Sequence, residues 1–399
     1  MVERHAGGRL AYPAPAGRHR RHRQPRRRER PHQGPALRIH AGAGLNGRFH
    51  TLNVFARELL RWYDHHGRKD LPWQHPRSAY RVWLSEIMLQ QTQVVTVMGY
   101  FQRFVDRLPT LRDLAEADED TVLALWSGLG YYRRARFLHQ AARLCMERHD
   151  GDLPRDLDAL MDLPGIGRST AGAILAQAHG LRFPILDGNV KRVLTRYHGI
   201  AGFPGESAIE KKLWLHADEH TPAKRTADYT QAIMDLGATV CVRSKPACLL
   251  CPQAATCIAH RDGLTAVLPT VKPGKKVPTR SVAMLLVRDK RGRVLLERRG
   301  PQGVWSGLWS LPEAVDADTA PAVAATLARV RQADPLPAFT HVFSHYKLDV
   351  SPILFDHAAP LAAVADRADR RWCNRDELAS LGLPAPVRTL LDNLPEISS

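Results

Sequence analysis

The spacing of apolar residues predicts two architectures that follow one another along the chain. From residue 49 to residue 261, apolar side chains recur three and four residues apart, and glycine or proline interrupts the pattern at intervals. This is the period of amphipathic helices, so we expect an all-α domain over residues 49–261. Residues 262–280 combine proline, glycine and lysine without a regular period and are expected to form an extended linker.

Beyond the linker, residues 281–399 show the pattern of a mixed α and β domain. Residues 281–288 and 293–299 flank a polar Asp-Lys-Arg-Gly segment, which predicts a β-hairpin. Residues 340–355 are expected to form a further strand, and residues 320–332 a helix. The chain is therefore predicted to be multidomain, with an all-α domain followed by an α+β domain.

The first 48 residues lack a hydrophobic period. They contain twelve arginines, two glutamates and no lysine, so they carry +10 of the net charge of +17. We expect residues 1–48 to be a disordered basic extension, because such a composition does not build a core. A DNA-tethering arm and an organelle-targeting peptide are alternatives, and the absence of serine and threonine disfavours the second. We favour an extension without a specific role.

Charge and hydropathy also restrict the cellular setting. The moderately basic body suits an anionic partner such as nucleic acid, although proteins without one are also often basic. The longest apolar run, Val282–Val287, is much shorter than the roughly 18 residues of a membrane helix. No signal peptide is recognisable. We therefore expect a soluble intracellular protein.

Glu86 is the first candidate for chemistry. Its neighbours at three and four residues' distance on a helix are Val82, Trp83, Leu89 and Gln90. Three of these are apolar, and a carboxyl group among apolar side chains is harder to ionise, so its pKa should rise. A raised pKa is what a general acid near neutral pH requires. A glutamate at the solvated edge of a helix is the alternative interpretation.

Residues 160–175 contain the sequence Leu-Pro-Gly-Ile-Gly-Arg-Ser-Thr. We expect a helix, a turn through Gly165 and Gly167, and a second helix that starts at Ser169. Glycine lets the backbone approach a phosphate closely, and a helix N-terminus directs free N–H groups at it. This pattern predicts a helix-hairpin-helix motif that binds the DNA backbone, with an ordinary corner between helices as the alternative.

Asp187 precedes a predicted helix that runs to about His198 and is closed by Gly199. It is a natural N-cap, and backbone N–H groups should lower its pKa and keep it ionised. Capping alone would explain the local pattern. If Asp187 and Glu86 meet in space, they supply the acid and the anion that cleavage of a glycosidic bond needs.

Four of the six cysteines form a close cluster: Cys241, Cys248, Cys251 and Cys257. In an intracellular chain such a cluster indicates metal binding rather than disulfides. Four thiolates can hold zinc or a four-iron four-sulfur cluster, and the spacing favours iron–sulfur modestly because structural zinc usually binds two close pairs. Cys145 and Cys373 are expected to be buried packing residues.

These elements, in this order, resemble the adenine DNA glycosylases of the helix-hairpin-helix superfamily, from about Phe49 to the end of the chain. Supporting segments are Gly67–Trp73, Leu125–Tyr132 and Gln231–Ala238. The resemblance implies one four-iron four-sulfur cluster in the 241–257 loop. It also implies a monomer that acts on double-stranded DNA in the bacterial cytoplasm, at the nucleoid.

The resemblance further implies the roles of three residues. Glu86 would protonate adenine, and Asp187 would stabilise the sugar cation or a covalent intermediate. Members of the superfamily that also cut the strand have a lysine at the position of Ser169, where it forms a Schiff base. Because a hydroxyl group does not form one, the resemblance implies a monofunctional glycosylase that leaves an abasic site.

Two further positions of the family enter the duplex beside the lesion pair. They correspond to Gln91, at the turn before a helix that Thr92 could cap, and to Tyr131, at another helix start. A side chain that inserts as a wedge offsets the cost of unstacking a base, roughly a few kcal/mol. Core packing is the alternative interpretation for Tyr131.

The C-terminal domain resembles Nudix domains through Ser306–Glu313. The helix expected at 320–332 contains no glutamate or aspartate, so it lacks the magnesium ligands of Nudix hydrolases. Phe343, Ser344 and His345 match the family's Phe-Ser-His triplet, which contacts 8-oxoguanine. This domain is therefore predicted to recognise a lesion and not to hydrolyse nucleotides.

The resulting prediction is a glycosylase that flips out and removes adenine mispaired with 8-oxoguanine or guanine. One alternative is a sister enzyme that removes thymine opposite guanine, which the Phe343–His345 triplet disfavours. Another is a non-catalytic iron–sulfur DNA-binding protein, which the presence of both Glu86 and Asp187 disfavours.

Overall fold

The computed structural model describes residues 53–272, 274, 277–365 and 367–394, with only the backbone at 363 and 365. The basic extension predicted for residues 1–48 lies outside the described residues. No helix in the described part of the chain is long and apolar enough to cross a membrane.

Residues 54–266 are helical, as the three- and four-residue period predicts. The α-helices are α1 (Val54–His66), α2 (Ala79–Leu89), α3 (Val94–Arg107), α4 (Leu111–Glu116), α5 (Glu119–Trp126), α6 (Arg133–Arg148), α7 (Leu157–Met161), α8 (Arg168–His179), α9 (Gly188–Tyr197), α10 (Ser207–His220), α11 (Thr226–Asp235) and α12 (Ile258–Arg261). A π-helical turn (Leu236–Val240) and short 3₁₀ turns (Pro72–Gln74, Cys248–Leu250, Ala254–Thr256, Leu264–Ala266) complete this part.

Polar side chains fix where many of these helices begin. The residue before the helix accepts a hydrogen bond from a first-turn backbone N–H at Asn53, Ser78, Thr110, Asp118, Asp156 and Asp187. Each cap satisfies one of the N–H groups that a helix leaves without a partner at its start. These helix starts are therefore set by local sequence.

Two apolar clusters hold the helices together. One contains Phe55 and Leu59 of α1 with Ile233 of α11, and the other contains buried residues of α2, α3, α5, α6 and α8. Helix α8 contributes to both, and it lies tightly against the segment that follows it. A Cβ atom at Gly172 would lie 2.5 Å from the carbonyl oxygen of Pro184, so only glycine allows this approach.

The C-terminal part forms a mixed sheet with four helices. The strands are β1 (Thr279–Asp289), β2 (Val294–Arg298), β3 (Trp309–Ser310), β4 (Glu313–Ala314), β5 (Ala328–Arg329), β6 (Asp334–Pro335), β7 (Phe339–Val342), β8 (Lys347–Pro360) and β9 (Arg370–Cys373), and the helices are α13 (Ala320–Leu327), α14 (Ala362–Ala365), α15 (Arg375–Ala379) and α16 (Ala385–Asp392). The central order is β3-β2-β1-β8-β5, with β4 on β1, β6 and β7 on β8, and β9 on β2. Only the long β1–β8 pair is parallel among these pairings.

Strand β1 is buried on both faces, which explains its uninterrupted apolar run. Met284 and Leu286 face the cluster shared with the helical domain, whereas Leu285 and Val287 face a second cluster under α13. Side chains alternate between the faces of a sheet, so a strand covered on both faces needs apolar residues at every position.

The observed strands confirm one prediction and correct two. The hairpin of β1 and β2 forms as predicted, with Arg288 opposite Val294. The single strand predicted over 340–355 is wrong: β7 and β8 are separate, and the N–H of Phe343 donates to the carbonyl of Tyr346 (2.9 Å) to close a turn. The helix predicted over 320–332 ends earlier, at Leu327, because the next residues pair with β8. The expected linker over 262–280 contains a 3₁₀ turn and the first residues of β1.

The C-terminal part packs directly against the helical part. Leu308 and Leu383 belong to the same apolar cluster as Leu123 of α5. Ser127 and Tyr132 both donate hydroxyl hydrogen bonds to the carbonyl of Leu383, at 2.9 and 3.1 Å. The ends of α5 and α6 are thereby fixed against the second domain.

Candidate active site

Glu86 lies on α2 and is partly buried beside α8. The side-chain amide of Gln177 on α8 donates to its carboxyl oxygen Oε1 at 3.3 Å. Burial and, to a smaller extent, the nearby charge of Asp187 raise the pKa of Glu86 to about 8, against the opposing effect of the Gln177 hydrogen bond. Glu86 thus has the raised pKa that the sequence predicts, and it is not a glutamate at a solvated helix edge.

Asp187 caps α9, as predicted, but its acidity does not follow the prediction. Its Oδ1 accepts from the backbone N–H of Val190 at 2.8 Å. Burial raises the pKa of Asp187 above its ordinary value, although the Val190 N–H and the charge of Arg192 both lower it. The prediction of a lowered pKa is wrong, because it counted the cap and not the loss of water around the carboxylate.

The two carboxyl groups form one electrostatic unit. The ionised Asp187 contributes to the raised pKa of Glu86, so Asp187 loses its proton first and Glu86 retains one into the neutral range. One group is then a proton donor and the other an anion, within the same helical domain.

Ser169 connects this pair to the hairpin. It lies in the first turn of α8, and its Oγ accepts from the backbone N–H of Leu186 at 2.9 Å, directly before Asp187. Lys191, the nearest lysine in sequence to Asp187, forms an ion pair with Glu210 at 2.7 Å. Ser169 has no amine, and the amine of Lys191 is paired with Glu210. Neither residue therefore provides a free amine next to the carboxyl pair.

The predicted hairpin consists of α7, a turn and α8. Gly165 has a positive φ of 79°, which favours glycine, and a Cβ atom there would lie 3.0 Å from Phe137. Gly167 is exposed and immediately precedes α8, which begins at Arg168, one residue earlier than predicted. The N-terminal end of α8 is therefore at the protein surface.

Gln91 and Tyr131 both lie in turns and have positive φ angles of 60° and 48°. Tyr131 is 48% exposed, so core packing does not explain it. Thr92 does not cap the next helix as predicted: α3 follows Gln93, and the Thr92 hydroxyl instead lies 3.5 Å from the carbonyl of Gln90. Left-handed backbone at non-glycine residues costs on the order of 1 kcal/mol or more and needs support from its surroundings.

Arg134, which sequence reasoning missed, supplies that support for both turns. Its guanidinium donates to the carbonyl oxygens of Ile87, Met88, Gln90, Leu129 and Gly130, at 2.5 to 3.3 Å. It also lies 5.5 Å from the centre of the Tyr131 ring. One side chain thus connects the turn of Gln91 with the turn of Tyr131. Its partners on α2 lie more than forty residues away in sequence, so no local signal marks it.

The Phe-Ser-His triplet lies in the turn between β7 and β8 and not within a strand. Ser344 and His345 are exposed, and Phe343 is partly buried. All three line a cleft of about 1270 Å³ that Gln91, Tyr131 and Gly165 also line. Glu86 and Asp187 are not among its lining residues, but Ile87, next to Glu86, is. The predicted residues therefore form two neighbouring groups, a carboxyl pair and a surface cleft.

The four clustered cysteines converge on one largely apolar recess beside α9, which Tyr197, Leu236 and Val240 also line. Four thiols that line one recess supply the donor set of a four-iron four-sulfur cluster or of a single zinc ion, so the recess fits either group. Cys145 and Cys373 are buried, as predicted.

A second set of metal-ligating residue types does not have the geometry of a metal site. His198, His216 and His220 place one nitrogen each within 4.8 Å of the others. However, the rings of His198 and His216 stack 3.6 Å apart at 18°, so their in-plane lone pairs do not meet at one point. Burial lowers the pKa of both His198 and His220 to about 4, so both rings are neutral at neutral pH. Neutral rings can share a hydrogen bond, and their Nε2 atoms lie 2.9 Å apart.

Both parts of the chain match known protein families. Residues 84–218 match the family model of the HhH-GPD superfamily base excision DNA repair protein, and residues 283–393 match that of a NUDIX domain. The first match contains Glu86, the hairpin and Asp187. The fold and site are thus those of a helix-hairpin-helix base excision repair protein with a Nudix-like domain.

Full-length relatives of this chain are adenine DNA glycosylases. An adenine DNA glycosylase of Buchnera aphidicola is 36% identical over 344 residues, which cover 86% of this chain and 98% of that protein. The human adenine DNA glycosylase is 33% identical over 402 residues, covering 84% of this chain and 73% of that one. A solved thermostable thymine-DNA glycosylase has a TM-score of 0.48 and 28% identity, covering 52% of this chain and 96% of that one. The chain belongs to the adenine DNA glycosylase family.

Proposed function

We propose that this protein removes adenine from DNA where it is paired with 8-oxoguanine or guanine, and leaves an abasic site. The observation that carries the proposal is the carboxyl pair: Glu86 has a pKa of about 8 and lies beside the ionised Asp187. Its relatives are adenine DNA glycosylases, which supports adenine as the base removed. The helical domain (49–261) would perform the excision, and the C-terminal domain (281–399) would recognise the opposite base.

The proposed reaction begins with protonation of the leaving base. Glu86 gives its proton to adenine, and the electron pair of the glycosidic bond moves onto the base as that bond breaks. The sugar becomes an oxocarbenium-like cation, which the negative charge of Asp187 stabilises. Water then forms the new bond to C1′, and its released proton restores the acid. Gln177 keeps the Glu86 carboxyl oriented through its hydrogen bond.

The exposed turns would hold the adenine outside the duplex. Gln91 and Tyr131 line one cleft, and their backbone is fixed by Arg134. Side chains that enter the duplex offset the cost of unstacking a flipped base. Gly165, Gly167 and the start of α8 would bind the phosphate backbone.

We propose that the enzyme is monofunctional and acts as a monomer. Strand cleavage by the superfamily's route needs a lysine amine. Ser169 instead holds the backbone of Leu186, and Lys191 is paired with Glu210. We place its action on the chromosomal DNA of the bacterial cytoplasm.

The recess formed by the cysteines is proposed to hold one four-iron four-sulfur cluster. Cys241, Cys248, Cys251 and Cys257 would supply the four thiolates, and the membership of the chain in the adenine DNA glycosylase family supports the cluster over zinc. Such a group cross-links its loop covalently and adds redox-active iron. The side chains of Arg192 and Arg196 donate to the carbonyl of Cys241 and hold the start of this loop against α9.

The test uses three duplexes, with adenine opposite 8-oxoguanine, adenine opposite guanine, and thymine opposite guanine. After incubation with the full chain, strands are analysed with and without alkali. We expect breaks in the adenine strands, only after alkali, and faster opposite 8-oxoguanine. Breaks in the thymine strand alone would establish the sister enzyme, breaks before alkali would exclude a monofunctional reaction, and intact strands throughout would contradict the proposal.

A further inference from the structure

Trp305 has an unusual backbone conformation beside the proposed recognition turn. It is a buried aromatic residue, 8% exposed, and its φ of 59° lies in the left-handed region. Gly303 and Gly307 on either side also have positive φ angles, of 87° and 78°. A tryptophan in this conformation costs on the order of 1–3 kcal/mol and persists only where the surroundings impose it.

The surroundings of Trp305 are the aromatic residues of the β7–β8 turn. Its ring lies 5.2 Å from the ring of Phe343 and 5.6 Å from that of His341. The Phe343 ring is also 4.6 Å from both His341 and Tyr346. Aromatic pairs at such distances attract one another and favour particular ring angles. Trp305 therefore restricts where the Phe343 ring can lie.

The loop that contains Trp305 is anchored to the helical domain. The hydroxyl of Ser306 accepts a hydrogen bond from the guanidinium of Arg136 on α6. Arg136 also forms an ion pair with Glu119 of α5 at 3.5 Å. Helix α6 starts two residues after Tyr131, and Arg136 lies in its first turn, so the anchor is close in sequence to that exposed side chain.

We propose that Trp305 is a positioning residue for recognition of the base opposite the adenine. It holds the Phe343 ring, and Ser306 bound to Arg136 fixes the β7–β8 turn relative to Tyr131 on the opposite wall of the cleft. This inference rests on the proposed function. Part of the preference for 8-oxoguanine over guanine would then depend on the loop of Trp305, which precedes the Phe-Ser-His triplet by almost forty residues.

The test compares Trp305→Ala and Trp305→Phe with the wild-type full chain. The readout is the ratio of single-turnover rates for adenine opposite 8-oxoguanine and opposite guanine. We expect Trp305→Ala to lower this ratio roughly two- to tenfold, the range that loss of one aromatic pair produces, and Trp305→Phe to restore most of it. Ser306→Ala, which leaves the aromatic cluster intact, should lower the ratio to a smaller extent.

Trp372→Ala is the matched control, because Trp372 packs against the cluster on the other face of the same sheet. It should change thermal stability without changing the ratio. An unchanged ratio in Trp305→Ala, or an equal fall in Trp372→Ala, would overturn the inference. If Trp305→Ala does not fold, Ser306→Ala decides, and a normal ratio in that variant overturns the inference. Failure of the proposed function has another signature, because the wild type would then release adenine from neither duplex.

Discussion

The carboxyl pair and the recognition cleft are built in different ways. Glu86 and Asp187 lie within the helical domain, on α2 and at the start of α9, and burial together with the charge of Asp187 gives Glu86 a pKa of about 8. The cleft lies between two domains and depends on strained turns, which are held by Arg134 on one wall and Trp305 on the other. In the proposed function, base removal depends on the loss of water around one carboxyl pair, whereas selectivity depends on contacts between the two domains. The two properties should therefore be separable by mutation.

The largest effect should come from Glu86→Gln, which separates excision from binding. This change keeps the shape of the side chain and removes the acid, so adenine release should fall roughly 10²- to 10⁴-fold. Affinity for the duplex with adenine opposite 8-oxoguanine should change little, measured as a binding isotherm on the same duplex. Loss of binding together with excision would mean that Glu86 has a structural role and that the two regions are not separable.

Arg134→Met should also lower the rate of adenine release strongly, although less than Glu86→Gln, and without changing the carboxyl pair itself. The backbone carbonyls that Arg134 binds would lose their donors, and the turns of Gln91 and Tyr131 would shift. Misplacement of this kind costs up to roughly a hundredfold in rate. Arg148→Met, at the exposed end of the same helix, is the control. Single-turnover rates at several pH values would show the loss to be uniform, whereas a changed pH profile would mean that Arg134 acts on Glu86.

The pH dependence of excision should reflect the carboxyl pair and not the cleft. Glu86 has a raised pKa of about 8 and is proposed to donate a proton, so the rate should fall as pH rises through 8. Between pH 7 and pH 9 the protonated fraction of such a group falls about tenfold. The ratio of rates opposite 8-oxoguanine and guanine should stay constant over the same interval. A rate that is flat from pH 6 to pH 9 would remove Glu86 as the acid.

Features that depend on residues close in sequence could be predicted, whereas features that depend on the folded chain could not. The cap at Asp187 and the glycine turn before α8 depend on residues close in sequence, and both were predictable. The apolar neighbours of Glu86 on α2 indicated a raised pKa, but the contribution of Asp187, which is distant in sequence, arises only in the fold. The pKa of Asp187 was not predictable, because the burial that raises it comes from the folded chain around it.

The roles of Arg134 and Trp305 could not be predicted, because they depend on contacts between segments that are distant in sequence. Arg134 binds carbonyls more than forty residues away, and Trp305 meets Phe343 across the C-terminal domain. The turn at Phe343–His345 was hidden for another reason. Residues 340–355 have enough apolar character for one long strand, and only the backbone hydrogen bond between Phe343 and Tyr346 reveals the reversal.

The proposed reaction depends most on one property: Glu86 holds a proton at neutral pH because it is buried near the charge of Asp187. An NMR titration of the full chain with ¹³C-labelled glutamate carboxyl groups, assigned with Glu86→Gln, measures this property. We expect a Glu86 midpoint near pH 8 that moves to lower pH in Asp187→Asn, because the charge of Asp187 contributes to the shift. A midpoint in the ordinary glutamate range, near pH 4 to 5, would show that Glu86 is ionised at neutral pH and is not the acid.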